Sequence, residues 1–123
     1  MSYVDKFATA VTEVKESNVA KTVGSGSLDV FSTPMMVALM EEAACKCLVD
    51  TLEDGQTSVG INISVDHLAA SPLGRTITAT ATVLEVDGRK VLFSVSASDG
   101  GNEIGKGKHT RVIVNQEKFM SRL

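Results

Sequence analysis

Between Val30 and Val49 the chain reads VFSTPMMVALMEEAACKCLV, a stretch in which polar side chains are few and helically spaced. Pro34 suits the first position of a helix, where its missing N–H leaves nothing unpaired. Thr33 therefore reads as the N-cap, and the helix is expected to run to about Leu52, with the glycine of EDG at 53–55 as its stop. At about 100° per residue, Glu42, Lys46, Asp50 and Glu53 fall within roughly 80° of one another. They form a solvated stripe, with Glu42 and Lys46 an i,i+4 pair in the favourable order. Glu41 falls outside that stripe. Its neighbours on the same face, at i−4, i+3, i+4 and i+7, are Val37, Ala44, Cys45 and Leu48. A carboxylate among apolar side chains must be paired or neutralised, because burying it alone costs several kcal/mol. Glu41 therefore reads either as a structural acid, capping or bridging something inside or meeting an arginine at a subunit interface, or as a catalytic or ligand-orienting carboxylate.

After the helix the period changes from 3.6 to 2. In TSVGINISVDHL, Val59, Ile61, Ile63 and Val65 alternate with Gly60, Asn62, Ser64 and Asp66, so Asp66 should face away from Val65 and His67. SPLG at 71–74 turns the chain, and RTITATATVLEV is rich in β-branched residues. DG at 87–88 is a hairpin signal, RKVLFSVSAS returns, and DGGN leads into EIGKGKHTRVIV. The segment ESNVAKTVGSGSLDVF ahead of the helix reads as irregular or extended. One long apolar helix followed by an antiparallel meander predicts an α+β fold, with a sheet of four or five strands wrapped around the helix.

Composition narrows the function. The 123 residues suit a single domain, 1–123. Aromatics are only 4%, so the core must be aliphatic. The net charge of −3 argues against a nucleic-acid partner, which needs a basic face. No run approaches the ~18 apolar residues of a membrane span, and the N-terminus has no signal-peptide core, so a cytoplasmic protein with no membrane partner is expected. Cys45 and Cys47 are two apart, a spacing that fits neither a redox pair nor a zinc half-site, and both read as buried thiols. No metal-ligand set is visible.

Few side chains remain as candidates for chemistry. Thr33 sits at a helix N-terminus, beside free N–H groups able to stabilise an oxyanion. His67 ends a strand and is the better placed of two histidines to act as a general base. Thr33 and Glu41 are separated by roughly 12 Å of helix rise, so they share a pocket only through something between them. His109 lies between lysines and reads as solvated strand surface. Arg111 is two residues from His109 on the same strand face and, with Lys106 and Lys108, makes the most basic stretch of the chain, either an edge strand guarded by lysines or a local seat for phosphates or a carbonyl. Gly60 interrupts a β-branched strand, as glycine does where a ligand or another chain segment comes close.

Taken together, FSTPMMVALMEEAA and VDHLAASPLG, followed by ITATATV and TRVIV, resemble the hotdog-fold thioesterases, specifically the fluoroacetyl-CoA thioesterase-like group. The resemblance covers about residues 10 to 120. It implies a homodimer with one continuous sheet, able to pair into a dimer of dimers, and active sites built from both protomers. It also implies an acyl-CoA substrate, with coenzyme A entering only as part of it and no separate cofactor. The resembled threonine, glutamate and histidine correspond to Thr33, Glu41 and His67, and the substrate-contacting glycine and arginine to Gly60 and Arg111. The resembled enzyme covers its acyl group with phenylalanines ahead of the helix, whereas TVGSGSLDV has no aromatic, which implies a broader acyl-CoA specificity. Two other readings stand beside hydrolysis. An acyl-CoA hydratase or dehydratase is one, although INISVDH lacks the Asp-x-Asn and His pattern of such enzymes; a non-catalytic acyl-CoA-binding dimer is the other.

Overall fold

The computed structural model describes residues 3–123. Five strands, β1 (Phe7–Glu13), β2 (Gln56–His67), β3 (Thr76–Asp87), β4 (Lys90–Asp99) and β5 (Asn102–Asn115), form one antiparallel sheet in the order β1-β3-β4-β5-β2. A short helix α1 (Ala20–Val23) precedes the long helix α2 (Thr33–Leu48), and α3 (Gln116–Ser121) ends the chain. The fold is the expected α+β hotdog arrangement, in which the sheet's inner face wraps α2. Among the described residues no helix is long and apolar enough to cross a membrane.

The strands are two-faced because their side chains alternate. Ile77, Ala79, Ala81 and Val83 of β3 and Val91, Phe93, Val95 and Ala97 of β4 point inward and are buried. Thr78, Thr80, Thr82, Ser94 and Ser96 occupy the outer face. Small residues lie where the helix crosses the sheet: Ala10, Ala79, Ala81 and Ala97 meet Met36, Met40, Ala43, Ala44 and Cys47 in one core. α2 packs chiefly on β1 and β3 and only lightly on β2. The inner face of β5 and β2 is therefore only partly covered.

Several local expectations change. The strand β1 was not legible, because FATAVTE alternates alanine and threonine rather than large apolar residues. The N-cap of α2 is Ser32, not Thr33. The Ser32 hydroxyl accepts the Met35 N–H at 3.3 Å, and Thr33 is the first helical residue. The helix stops at Leu48 and tightens into a 3-10 turn over Val49–Thr51, where the Thr51 hydroxyl donates to the Leu48 carbonyl. Gly55, at φ 83°, then turns the chain into β2 and does not cap α2. Cys47 is buried, but Cys45 is exposed because its stripe of α2 faces away from the sheet's covered half. The edge strands are β1 and β2, so β5 with its lysines is interior.

β2 departs from strict alternation at one place. Gly60 pairs with Arg111 and Asn62 with Thr110, leaving Ile61 as an extra, half-exposed residue. A bulge shifts the alternation by one. Ser58 and Gly60 therefore face the helix side together with Ile63, Val65 and His67, although plain alternation puts Gly60 and His67 on opposite faces.

Because Ser32 holds the cap, Ser32→Ala should lower unfolding stability by about 1 kcal/mol. Thr33→Ala should cost less than about 0.5 kcal/mol, as an exposed site outside the core does. Urea unfolding of the two variants checks this; a larger loss from Thr33→Ala would return the capping role to Thr33.

Candidate active site

Two groups of polar side chains occupy the lightly covered side of the fold. The first lies at the mouth of α2. Thr33 Oγ1 is 2.7 Å from His67 Nδ1. Main-chain bonds bring these residues together from distant parts of the chain: the Phe31 N–H donates to the Ser71 carbonyl, the Ser32 N–H to Asn18, and the Leu68 N–H to Ile104. With Ser32 serving as cap, the Thr33 hydroxyl is left for the imidazole. The pair opens onto a groove of about 480 Å³ whose walls include Gly26, Ser27, Leu28, Phe31 and Ala69. Burial pushes the His67 pKa below its ordinary value, with the Ala69 carbonyl pulling weakly the other way. The ring is thus neutral near pH 7, with a nitrogen able to accept the threonine proton. Its Nε2 is buried without a well-formed hydrogen bond.

The second group is centred on Glu41. Arg111 Nη1 donates to Glu41 Oε2 at 3.4 Å, and His109 Nε2 lies 3.9 Å from the same oxygen. Arg111 is itself buried: Nε donates to Ser58 Oγ at 2.9 Å and Nη2 to the Ser58 carbonyl at 3.0 Å. Gly60 makes room for the cluster. A Cβ there would stand 2.8 Å from Glu41 Oε2, 3.1 Å from His109 Cε1 and 3.2 Å from Arg111 Nη1, and contacts that short force something to move. The His109 pKa is lowered, first by burial; the Asn62 carbonyl opposes this, Arg111 adds to it, and Glu41 opposes it.

Glu41 is not enclosed by apolar side chains as its helical neighbours suggested. Its side chain is 40% exposed, because α2 leans on β1 and β3 and leaves the stripe of Val37, Glu41 and Cys45 on the open side. Its partners come from β5. His109 is not solvated surface either: it is 1% exposed. Lys106 and Lys108 are exposed on the outer face of β5, opposite Arg111, so the three cations form no common phosphate seat. Asp66 is exposed on the face away from His67, in keeping with its alternation. The structure thus brings Thr33 to His67, and Glu41 to Gly60 and Arg111, but does not join the two groups within one protomer. Sequence reasoning missed His109 and Ser58. His109 shares a strand face with Arg111, as the two-residue spacing requires, but that face is buried rather than solvated. Among the described residues no three His, Cys, Asp or Glu side chains cluster as a metal site.

Comparisons with known proteins concern the chain as a whole. Residues 14–117 match the family model described as fluoroacetyl-CoA-specific thioesterase. The fluoroacetyl-CoA thioesterase of Streptantibioticus cattleyicolor is 44% identical over 95 residues, spanning 77% of this chain and 68% of that protein. A point variant of the fluoroacetyl-CoA-specific thioesterase FlK, solved with fluoroacetate and CoA, superposes with a TM-score of 0.90 at 36% identity, covering 96% of this chain and 99% of that one. A hot-dog-like protein from Thermanaerovibrio acidaminovorans is 31% identical with a TM-score of 0.88, over 97% of this chain and 88% of that one. The chain belongs to the fluoroacetyl-CoA-specific thioesterase family, and through it to the hotdog-fold acyl-CoA thioesterases.

Proposed function

We propose that this protein hydrolyses small acyl-CoA thioesters to the free acid and CoA, using Thr33, His67 and Glu41. The observation that carries this reading is the 2.7 Å contact between the Thr33 hydroxyl and a neutral, half-buried imidazole at the edge of a groove. His67 Nδ1 takes the hydroxyl proton as Thr33 Oγ1, or a water it holds, attacks the thioester carbonyl. The helix N-terminus favours the developing oxyanion, and the Thr33 N–H has no protein acceptor among the described residues. Collapse expels the CoA thiolate, a good leaving group for a thiol of pKa about 8.5, which takes the proton from the imidazolium; with water as the nucleophile this gives the free acid directly, and with Thr33 Oγ1 it leaves an acyl ester that a water deprotonated by the same imidazole hydrolyses to the free acid and the threonine hydroxyl. A passive acyl-CoA-binding module would have no use for an acid–base pair at this distance.

The acyl group lies in the groove beside the dyad. With Gly26, Ser27 and the exposed Leu28 at its mouth, and no aromatic in the 22–30 segment that borders it, the groove suits a range of short acyl chains in preference to fluoroacetyl alone. FlK has been solved with CoA on the same fold, which supports an acyl-CoA ligand here.

Glu41 enters from a second copy. His67 and Gly60 stand roughly 20 Å apart along β2, at about 3.3 Å per residue, yet face the same side. β2 is an edge strand with unpaired main-chain groups and an exposed Ile61. If two copies of β2 pair antiparallel, the two-fold axis reverses the strand, so that the His67 end of one copy meets the Gly60 region of the other. Each site then combines Thr33 and His67 of one protomer with the partner subunit's Glu41. Pairing of such dimers into tetramers would use the outer sheet faces.

Three outcomes test this. Thr33→Ala and His67→Ala should each lower kcat for acetyl-CoA by about 10²–10⁴, the usual worth of a positioned acid–base group; folded variants with the parent's thiol-release rate would end the assignment. The rate should be flat through pH 7–8 and fall below about pH 6.5, the ordinary histidine value, since the His67 pKa lies lower still and its protonated form cannot accept a proton. Finally, Thr33→Ala and Glu41→Gln protomers, each inactive alone, should recover about a quarter of parent activity when unfolded and refolded together in equal amounts, because half the dimers then carry one intact site of two. No recovery in dimers shown by mass to be mixed would place Glu41 in the same site as its own Thr33, or in none.

A further inference from the structure

His109 is the most enclosed ionisable group near the Glu41 cluster, and its hydrogen bonds define its state. Nδ1 lies 2.8 Å from the Asn62 carbonyl, which can only accept, so Nδ1 carries the hydrogen. That carbonyl follows directly on the bulge at Ile61, where the β2–β5 pairing skips one residue. Nε2 therefore holds a lone pair. It lies 3.2 Å from Arg111 Nη1, which can only donate. The imidazole accepts from the guanidinium on the side facing Glu41. Phe93 stacks on the ring, with centroids 6.2 Å apart and planes 27° from parallel.

The guanidinium is thus gripped at both ends. Ser58 takes Nε and Nη2, and His109 takes Nη1, which also reaches Glu41. A planar group held on two edges has little freedom to swing, and its remaining donor direction is set. Arg111 has four of its five N–H groups on protein atoms, so it is built to hold Glu41 more than to seize a ligand. We infer that His109 is a positioning residue for thioester hydrolysis: by accepting from Arg111 while tied to the Asn62 carbonyl, it fixes the guanidinium that aims the Glu41 carboxylate. This rests on the thioesterase reading of the site. Charged groups facing the ring are Arg111 on its own strand and Glu41 from α2; Lys106 and Lys108 point to the opposite sheet face.

The test compares His109→Phe, which keeps a ring against Phe93 but cannot accept, with His109→Gln, whose amide oxygen can. The Phe variant should lose at least tenfold in kcat for acetyl-CoA with KM within about twofold, and the Gln variant should stay within about threefold of the parent in both. A folded Phe variant with the parent's kcat, or Gln and Phe variants equally impaired in kcat, would overturn the inference. Long-range proton–nitrogen NMR of the parent adds a readout independent of turnover. It should find hydrogen on Nδ1 of His109 and a slowly exchanging Arg111 Nε–H that exchanges at least tenfold faster in the Phe variant. Hydrogen on Nε2, or unchanged exchange, counts against the inference even if folding obscures the kinetics. A parent that hydrolyses no acyl-CoA defeats the thioesterase reading instead, and the NMR arm alone then decides the support of Arg111 by His109.

Discussion

One extra residue in β2 sets the phase of the whole candidate site. Side chains along a strand repeat every second position, so Gly60 and His67, seven apart, belong on opposite faces of a regular strand. The slip at Ile61 moves Ser58 and Gly60 onto the helix side, which His67 already occupies. It also puts the Asn62 carbonyl within reach of His109, the bond that defines that ring's tautomer. Without the slip, Gly60 would turn its bare face away from Glu41, and Ser58 would be lost to Arg111. Bulges gather where a strand must re-aim side chains for function, and here a single slip re-aims Ser58 and Gly60 and brings the Asn62 carbonyl to His109.

The seat of α2 is the complementary constraint. The helix sinks onto alanines of β1 and β3, and that tilt leaves the inner face of β5 and β2 only partly covered. Polar groups can live there. Arg111 and His109 are buried, yet each meets a partner, so neither carries the cost of an unpaired polar group in the interior. Glu41 stands at the boundary, one oxygen toward Arg111 and the side chain 40% open. At the other end of the helix the division of labour between Ser32 and Thr33 does similar work. The buried serine satisfies the helix end, and the threonine is free to meet His67.

What was legible in the sequence follows from which physics is local. The helix and the four strands after it declare themselves through periodicity and turn residues, and the helical wheel singles out Glu41 before any partner is known. The resemblance carried by FSTPMMVALMEEAA and VDHLAASPLG pointed to Thr33, Glu41 and His67 and to the family. The N-cap was misplaced by one because Ser32 and Thr33 are both good caps, and only the hydrogen bond to Met35 separates them. The cover over Glu41 was overestimated because a wheel reports what shares a helix face, not what packs against it. His109 was misread from its lysine neighbours, although those lysines alternate onto the other face. The bulge was out of reach, since it exists only in the register between β2 and β5.

The two histidines show how the same residue type, pressed the same way by burial, ends in different work. Both rings have depressed pKa values and are neutral near pH 7. The difference lies in what meets the nitrogen lone pair. At His67 it is a hydroxyl that has a proton to give, and a threonine proton can be moved during a reaction. At His109 it is a guanidinium, which donates hydrogen bonds but gives up no proton to the ring. The first pairing is therefore suited to proton transfer and the second to holding a charge in place. Burial alone therefore does not decide what a histidine is suited to; the group that faces its lone pair does.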